Sequence, residues 1–167
     1  MNVVIFGPPG AGKGTQSKFI VNKFKLFQLS TGEFLREEIK KKTELGSNIA
    51  SIVNSGSLVS DDIVSKLIEK IISDEKYKKR IIFDGYPRNL TQAKNLEFLL
   101  TKYNQKIDIV LKLSVNLETV KKRISGRVDC SLCGKIYNEY FNPPPIDSDC
   151  CSSKFLRKRG DDTLEVA

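Results

Sequence analysis

Val3-Val4-Ile5-Phe6-Gly7-Pro8-Pro9-Gly10-Ala11-Gly12-Lys13-Gly14-Thr15 decides the fold of this chain. Its first four residues are apolar and read as a buried strand, and the glycine-rich turn behind them opens a helix. Such a turn points several backbone N–H groups into one concavity at a helix N-terminus, where the helix dipole also favours anions. A side chain at the glycines would keep phosphates away, and Lys13 adds a mobile positive charge. The order G-x-x-x-x-G-K is the phosphate-binding P-loop. It departs from the commonest form in one place: Gly14 follows the lysine, and the hydroxyl comes one residue later at Thr15.

Outward from that stretch, strands and helices alternate. Gly14 to Lys25 reads as a helix with Phe19, Ile20 and Phe24 on one face, and Leu26–Leu29 as a short strand. Ser30-Thr31-Gly32-Glu33 has the form of a capping box, and its helix runs to about Lys42. A further helix covers Gly46 to Asn54, broken by Ser55-Gly56-Ser57. Ile63, Val64, Leu67, Ile68, Ile71 and Ile72 then recur at helical spacing. Arg80–Phe83 is a third strand, ended by Asp84-Gly85; Asn89 to Tyr103 is a helix. Ile107–Leu113 is a fourth strand with the unbroken hydrophobicity of buried parallel strands, and Glu118 to Arg123 is helical. This alternation argues for a doubly wound α/β sheet. Residues 30–59 and 126–162 interrupt it. The first carries two short helices; the second is polar, rich in Cys, Pro and Gly, and suggests short β elements.

Composition narrows the classes. With 167 residues, one domain with small inserts is expected. No apolar run approaches the roughly 20 residues of a membrane span, and the first strand begins at the chain start, leaving no room for a targeting segment. A soluble, cytoplasmic protein is expected. Net charge is +8, from 28 Lys+Arg against 20 Asp+Glu, which suits a polyanionic ligand. The lysines are scattered, as at Lys40-Lys41-Lys42 and Lys121-Lys122, in the manner of solvated helix faces. There is no His, which removes the commonest general base. All four Cys lie between 130 and 151, a local cluster and not a fold-wide disulfide framework.

The strings GPPGAGKGT at 7–15, STGEFLR at 30–36, GSLV at 56–59, FDGYPR at 83–88 with Gln92, and GRVDCSLCGKIYNEYFNPP at 126–144 together resemble the adenylate kinases, in their long-lid form. The resemblance spans the chain. It implies a P-loop core at 1–29, 60–125 and 163–167, a helical AMP-binding insert at 30–59 and a β-type lid at 126–162. It also implies a C-terminal strand and helix beyond Ala167, since the helix start at Asp161-Asp162 has little more than one turn to follow it here. The implied reaction is ATP + AMP ⇌ 2 ADP with Mg²⁺, by a monomer that takes neither nucleic acid nor membrane as partner.

The same resemblance implies roles. Gly10, Ala11, Gly12, Lys13, Gly14 and Thr15 would hold the ATP phosphates, with Arg127, Ile136 and Tyr137 on the ATP side. Thr31, Arg36, Ser57, Leu58, Val59, Gly85, Tyr86, Pro87, Arg88, Gln92 and Arg159 would bind AMP, Gln92 reading the adenine. Lys13, Arg88, Arg123, Arg127 and Arg159 would surround the transferring phosphoryl group. Planar guanidinium forks suit that task better than lysines do. Asp84, at the carboxyl end of a buried strand, is the candidate for Mg²⁺, through waters. Glu33 and Ser60 stand where the family often has Asp and Pro.

Cys130-Ser131-Leu132-Cys133 forms a C-x-x-C knuckle, and Cys150 follows 17 residues on. In long lids this resembles a structural zinc site, whose fourth ligand would fall at Ser153, a poor ligand. Cys151 and Asp149 are the alternatives, and a metal-free lid remains open. Two other functions stand beside the kinase reading. One is a kinase for UMP, CMP or GMP; the other is a zinc-ribbon module that binds nucleic acid through its basic lid.

Overall fold

The computed structural model describes residues 1–40, 47, 49–52, 59–145 and 149–159. The chain forms two compact units. Met1–Gly7 and Gly12–Leu113 make the first, and Pro8–Ala11 with the chain from Ser114 onward make the second.

The first unit holds strands β1 (Val3–Phe6), β2 (Phe27–Ser30), β3 (Ile81–Asp84) and β4 (Ile109–Lys112). Its helices are α1 (Lys13–Phe24), α2 (Thr31–Lys40), α3 (Asp61–Ile72) and α4 (Leu90–Lys102). Residues 47 and 49–52 are helical, within the helix expected over Gly46–Asn54. Its remaining residues, the Ser55-Gly56-Ser57 break and the stretch after Lys40 lie outside the described residues. The sheet is parallel throughout, in the order β2-β3-β1-β4, with Val3 opposite Ile82 and Ile5 opposite Asp84.

Alternation along the strands sends side chains to opposite faces. Val3, Ile5 and Ile82 pack on one face with Leu26 and with Ile20 and Val21 of α1. Val4, Ile81 and Phe83 pack on the other with Ile68 and Ile72 of α3 and Leu96, Leu99 and Leu100 of α4. The sheet is therefore doubly wound, as the alternation implies. Phe83 is fully buried, and removing such a side chain from water contributes about 1.5–3 kcal/mol. At the amino ends of the strands Asn2, fully buried, satisfies the backbone. Its Oδ1 accepts from Ile81 N at 3.1 Å, and its Nδ2 donates to Lys106 O at 3.0 Å.

Two expectations change. The run Ile107–Leu113 reads as a fully buried strand, yet β4 is the sheet edge, with Ile109 41% and Val110 59% exposed. Leu111 packs with Val3 and Ile5, but among the described residues β4 has a neighbour on one side only, β1. Hydrophobicity marks residues that gain from cover; it does not supply the cover. The apolar face of α1 is likewise open among the described residues, with Phe19 66% and Phe24 52% exposed.

In the second unit α5 (Leu117–Ser125) is capped by Asn116, whose Oδ1 accepts from Thr119 N at 2.8 Å. Strands β5 (Arg127–Cys130), β6 (Ile136–Asn138) and β7 (Leu156–Arg157) then form an antiparallel sheet in the order β6-β5-β7. A 3₁₀ turn, Ser153–Phe155, precedes β7.

Candidate active site

Strands β1 and β3 are adjacent and parallel, yet α1 after β1 and α4 after β3 cover opposite faces of the sheet. The chain therefore opens a crevice at their carboxyl ends, where ligands bind in such sheets. Lys13 opens α1 there, and its Nζ donates to Gly7 O at 2.9 Å. Gly12, with φ +94°, is the left-handed N-cap that turns the chain into α1. The next residue, Gly14, faces the end of β3: a Cβ on it would lie 3.8 Å from Asp84 Oδ2. Thr15 is exposed one position further on.

Asp84 is 7% exposed, and its Oδ2 accepts from Gln28 Nε2 at 3.0 Å. Burial pushes its carboxyl above the usual carboxylate range, against the opposing pull of the Gln28 amide, Lys13 and Arg88; Glu33 pushes the same way as burial. A buried carboxylate in the field of Lys13 and Arg88 is a group arranged for charge chemistry, not a turn former alone. Gly85 follows at φ +79°, a conformation that suits glycine. A Cβ there would meet Thr31 Oγ1 at 3.3 Å and the Arg88 guanidinium at 3.4 Å. Thr31 Oγ1 donates to Gly85 O at 3.1 Å, and Arg88 Nε donates to the same oxygen at 2.8 Å. Thr31, Gly85 and Arg88 thus form one polar cluster beside Asp84.

Gln92 joins that cluster from α4: its Oε1 accepts from Arg88 N at 2.8 Å. The Tyr86 ring is buried in the core, and its hydroxyl donates to Gln92 O at 3.2 Å. What position 86 offers a ligand is therefore backbone. Pro87 lies in the turn between Tyr86 and Arg88. Arg36 folds back along α2, with its guanidinium 3.2 Å from where a Gly32 Cβ would stand. Ser30 Oγ accepts from Glu33 N at 3.4 Å, the long half of the expected capping box. Val59 is buried, whereas Ser57 and Leu58 lie outside the described residues.

The second unit carries the remaining candidates. Gly10 adopts φ +72° and lies against α5: a Cβ on it would come within 2.9 Å of Ile124 Cγ1 and 3.1 Å of Val120 O. Arg123 Nη1 donates to Ala11 O at 3.0 Å, and its guanidinium lies over the Phe141 ring. Arg127 begins β5, Ile136 and Tyr137 lie on β6, and Arg159 pairs with Asp129 at 2.6 Å. Asp161 and Asp162 lie outside the described residues.

The four cysteines meet. The sulfurs of Cys130, Cys133, Cys150 and Cys151 all lie within 4.8 Å of one another. A tetrahedron with Zn–S of about 2.3 Å has sulfurs about 3.8 Å apart, so the donor set fits a structural zinc ion with little contraction. Cys133 and Cys151 Sγ are 3.5 Å apart, and Tyr137 Oη donates to Cys151 Sγ at 3.2 Å. Cys151 brings its sulfur to the cluster despite lacking knuckle spacing; Ser153 begins the 3₁₀ turn and Asp149 is exposed. The Lys135 backbone and the neighbouring Cys150 thiol hold Cys133 down to about 7, while Cys133 pushes Cys150 up to about 12.

Two residues in this arrangement have no motif to announce them. Gln28 holds Asp84 from β2, and Asp61, the first residue of α3, accepts from Gln92 Nε2 at 2.7 Å. In the sequence the first is an ordinary strand residue and the second an ordinary acidic helix start.

Strand, glycine turn and lysine-led helix are the apparatus with which α/β proteins hold nucleoside polyphosphates, and they place this protein among the P-loop nucleotide-binding proteins. Within that class the chain belongs to the adenylate kinase family: the family described as Adenylate kinase matches residues 5–166. An adenylate kinase of Pelagibacter ubique is 50% identical over 166 residues, covering 99% of this chain and 78% of its own length. Those of Fervidobacterium nodosum and Methanosarcina barkeri are each 42% identical over 168 residues, covering 99% of this chain and 77% of their own. Among the described residues no helix is long and apolar enough to cross a membrane.

Proposed function

We propose that the protein transfers the terminal phosphoryl group of ATP reversibly to AMP, giving two ADP. The observation that carries this reading is the placement of Lys13, Gly14, Asp84, Gly85 and Arg88 at the carboxyl ends of two adjacent parallel strands. Donor and acceptor phosphates can both be gripped there.

Phosphoryl transfer asks for positioning and charge neutralisation more than covalent help. The attacking atom is a phosphate oxygen of AMP, already anionic, so no side chain needs to remove a proton and the absence of His costs nothing. Lys13 neutralises the donor phosphates, while Arg36 and Arg88 orient the acceptor phosphate. Arg127 serves the donor side, Arg159 reaches the transferring phosphoryl group from the AMP side, and Arg123 contacts phosphate at the base of the lid. Segments 30–59 and 126–162 close over AMP and ATP respectively, excluding water from a group that water would otherwise hydrolyse. Asp84 fits Mg²⁺: it is a buried carboxylate fixed by Gln28 beside Lys13, and Mg²⁺ bound with ATP would supply further neutralisation of the phosphates. Cys130, Cys133, Cys150 and Cys151 would hold zinc, which ties the β5–β6 knuckle to the turn at 150–151. In this reading the protein acts on free nucleotides as a cytoplasmic monomer.

A coupled assay for ADP, run with ATP and each of AMP, GMP, CMP and UMP, tests the function. AMP is expected to be the preferred acceptor. Equal turnover with another monophosphate, or none with AMP, overturns the reading.

A further inference from the structure

We propose that Asp61 sets the base preference by fixing which way round the Gln92 carboxamide faces. The inference rests on the reading of Gln92 as the group that meets the base of AMP. Gln92 is 4% exposed, and both ends of its amide are held. Oε1 accepts from Arg88 N at 2.8 Å, and Nε2 donates to Asp61 Oδ1 at 2.7 Å. Its backbone is pinned as well, the N–H to Asn89 Oδ1 at 2.8 Å and the carbonyl to Tyr86 Oη at 3.2 Å.

These partners make the amide orientation unambiguous. A backbone N–H can only donate and a carboxylate can only accept, so oxygen must face Arg88 and nitrogen must face Asp61. Turning the amide over would set N–H against N–H and oxygen against carboxylate. Losing two buried hydrogen bonds disfavours that state by roughly 10²-fold. An amide has two N–H groups and two oxygen lone pairs. With one of each engaged among the described residues, Gln92 keeps one donor and one acceptor, in fixed order.

Adenine presents an amino donor beside a ring-nitrogen acceptor and meets that order. Guanine presents the reverse, a carbonyl acceptor beside a ring N–H, and needs the amide turned over. A freely turning amide would serve both. Cytosine and uracil divide in the same way, so the lock favours amino bases over keto bases. Asp61 reaches the nucleotide only through Gln92 and is a positioning residue.

The test compares kcat/KM for AMP and for GMP in Asp61→Asn. The Asn side chain is isosteric and can either accept from or donate to the amide, which removes half of the lock. The AMP:GMP ratio is expected to fall about tenfold, the worth of one such bond. GMP turnover should rise in absolute terms while KM for ATP stays unchanged. A loss of packing would depress both substrates together and leave the ratio intact, and that result overturns the proposal. Asp61→Ser, whose hydroxyl can also donate or accept, repeats the measurement in a second background. Gln92→Leu separates the proposal from the reading beneath it. If Gln92→Leu leaves the ratio unchanged, Gln92 does not meet the base and the underlying reading fails. If Gln92→Leu collapses the ratio and Asp61→Asn does not, only the role of Asp61 fails. In the double variant Asp61→Asn should add nothing to Gln92→Leu.

Discussion

Gly10→Ala is the sharpest probe of the phosphate loop, because two separate costs can be read for it. The first is conformational. Gly10 sits at φ +72°, where an L-residue costs about 1–2 kcal/mol. The second is steric. Its new Cβ would stand 2.9 Å from Ile124 Cγ1 and 3.1 Å from the Val120 carbonyl oxygen, and a helix backbone cannot step aside as a flexible side-chain tip can. Overpacking of this kind costs about 1–3 kcal/mol. The expected loss is therefore about 2–5 kcal/mol.

Gly134→Ala is the control: its φ of +69° is nearly the same, but a Cβ there meets nothing within 4 Å. It should lose only the conformational part, about 1–2 kcal/mol. Urea unfolding of both variants measures the difference. With a slope of about 2 kcal/mol/M, a 3 kcal/mol loss moves the midpoint by roughly 1.5 M. The KM for ATP should also rise for Gly10→Ala, since relief of the clash displaces the amides that cradle phosphate. If the two variants unfold at the same urea concentration, the steric reasoning is wrong. If Gly10→Ala also keeps the parent KM for ATP, the loop is not the phosphate cradle.

Four further outcomes are expected. Gly85→Ala should weaken AMP more than ATP, by roughly tenfold in KM, because its Cβ presses on Thr31 and Arg88; steady-state kinetics with each nucleotide varied checks this. Arg88→Ala should cost about 3 kcal/mol of transition-state stabilisation, near 10²-fold in kcat/KM, and Arg88→Lys should recover little of it. Asp84→Asn should lose activity yet raise the melting temperature at neutral pH. Burial holds the folded carboxyl above its unfolded value, so its contribution favours folding at low pH and is lost as pH rises through the folded pKa; the Asn retains the acceptor for Gln28. The stability gap should accordingly close below about pH 4, where the unfolded carboxyl is protonated too. Metal analysis of protein purified without chelator should return one zinc per chain, and its removal should lower the melting temperature by on the order of 10 °C.

The sequence alone determines the parts of this protein whose cause is contiguous. An apolar run, a glycine turn and a lysine within 13 residues specify strand, cradle and helix, since each follows from backbone sterics and local hydrogen bonding. Asn89 and Asn116 cap their helices with partners three residues away, contacts just as local, although neither is read as a cap from the sequence, which starts the second helix at Glu118. The element order and the doubly wound sheet follow from their succession. Tertiary structure decided what depends on residues far apart in the chain. Gln28 meets Asp84 across 56 positions and Asp61 meets Gln92 across 31, and no local pattern encodes either pairing. Cys151 stands outside knuckle spacing, yet the turn at 150–151 carries its sulfur to Cys133. Ile109 and Val110 look buried in the sequence and are exposed among the described residues, because burial belongs to a residue's neighbours and not to its own hydrophobicity.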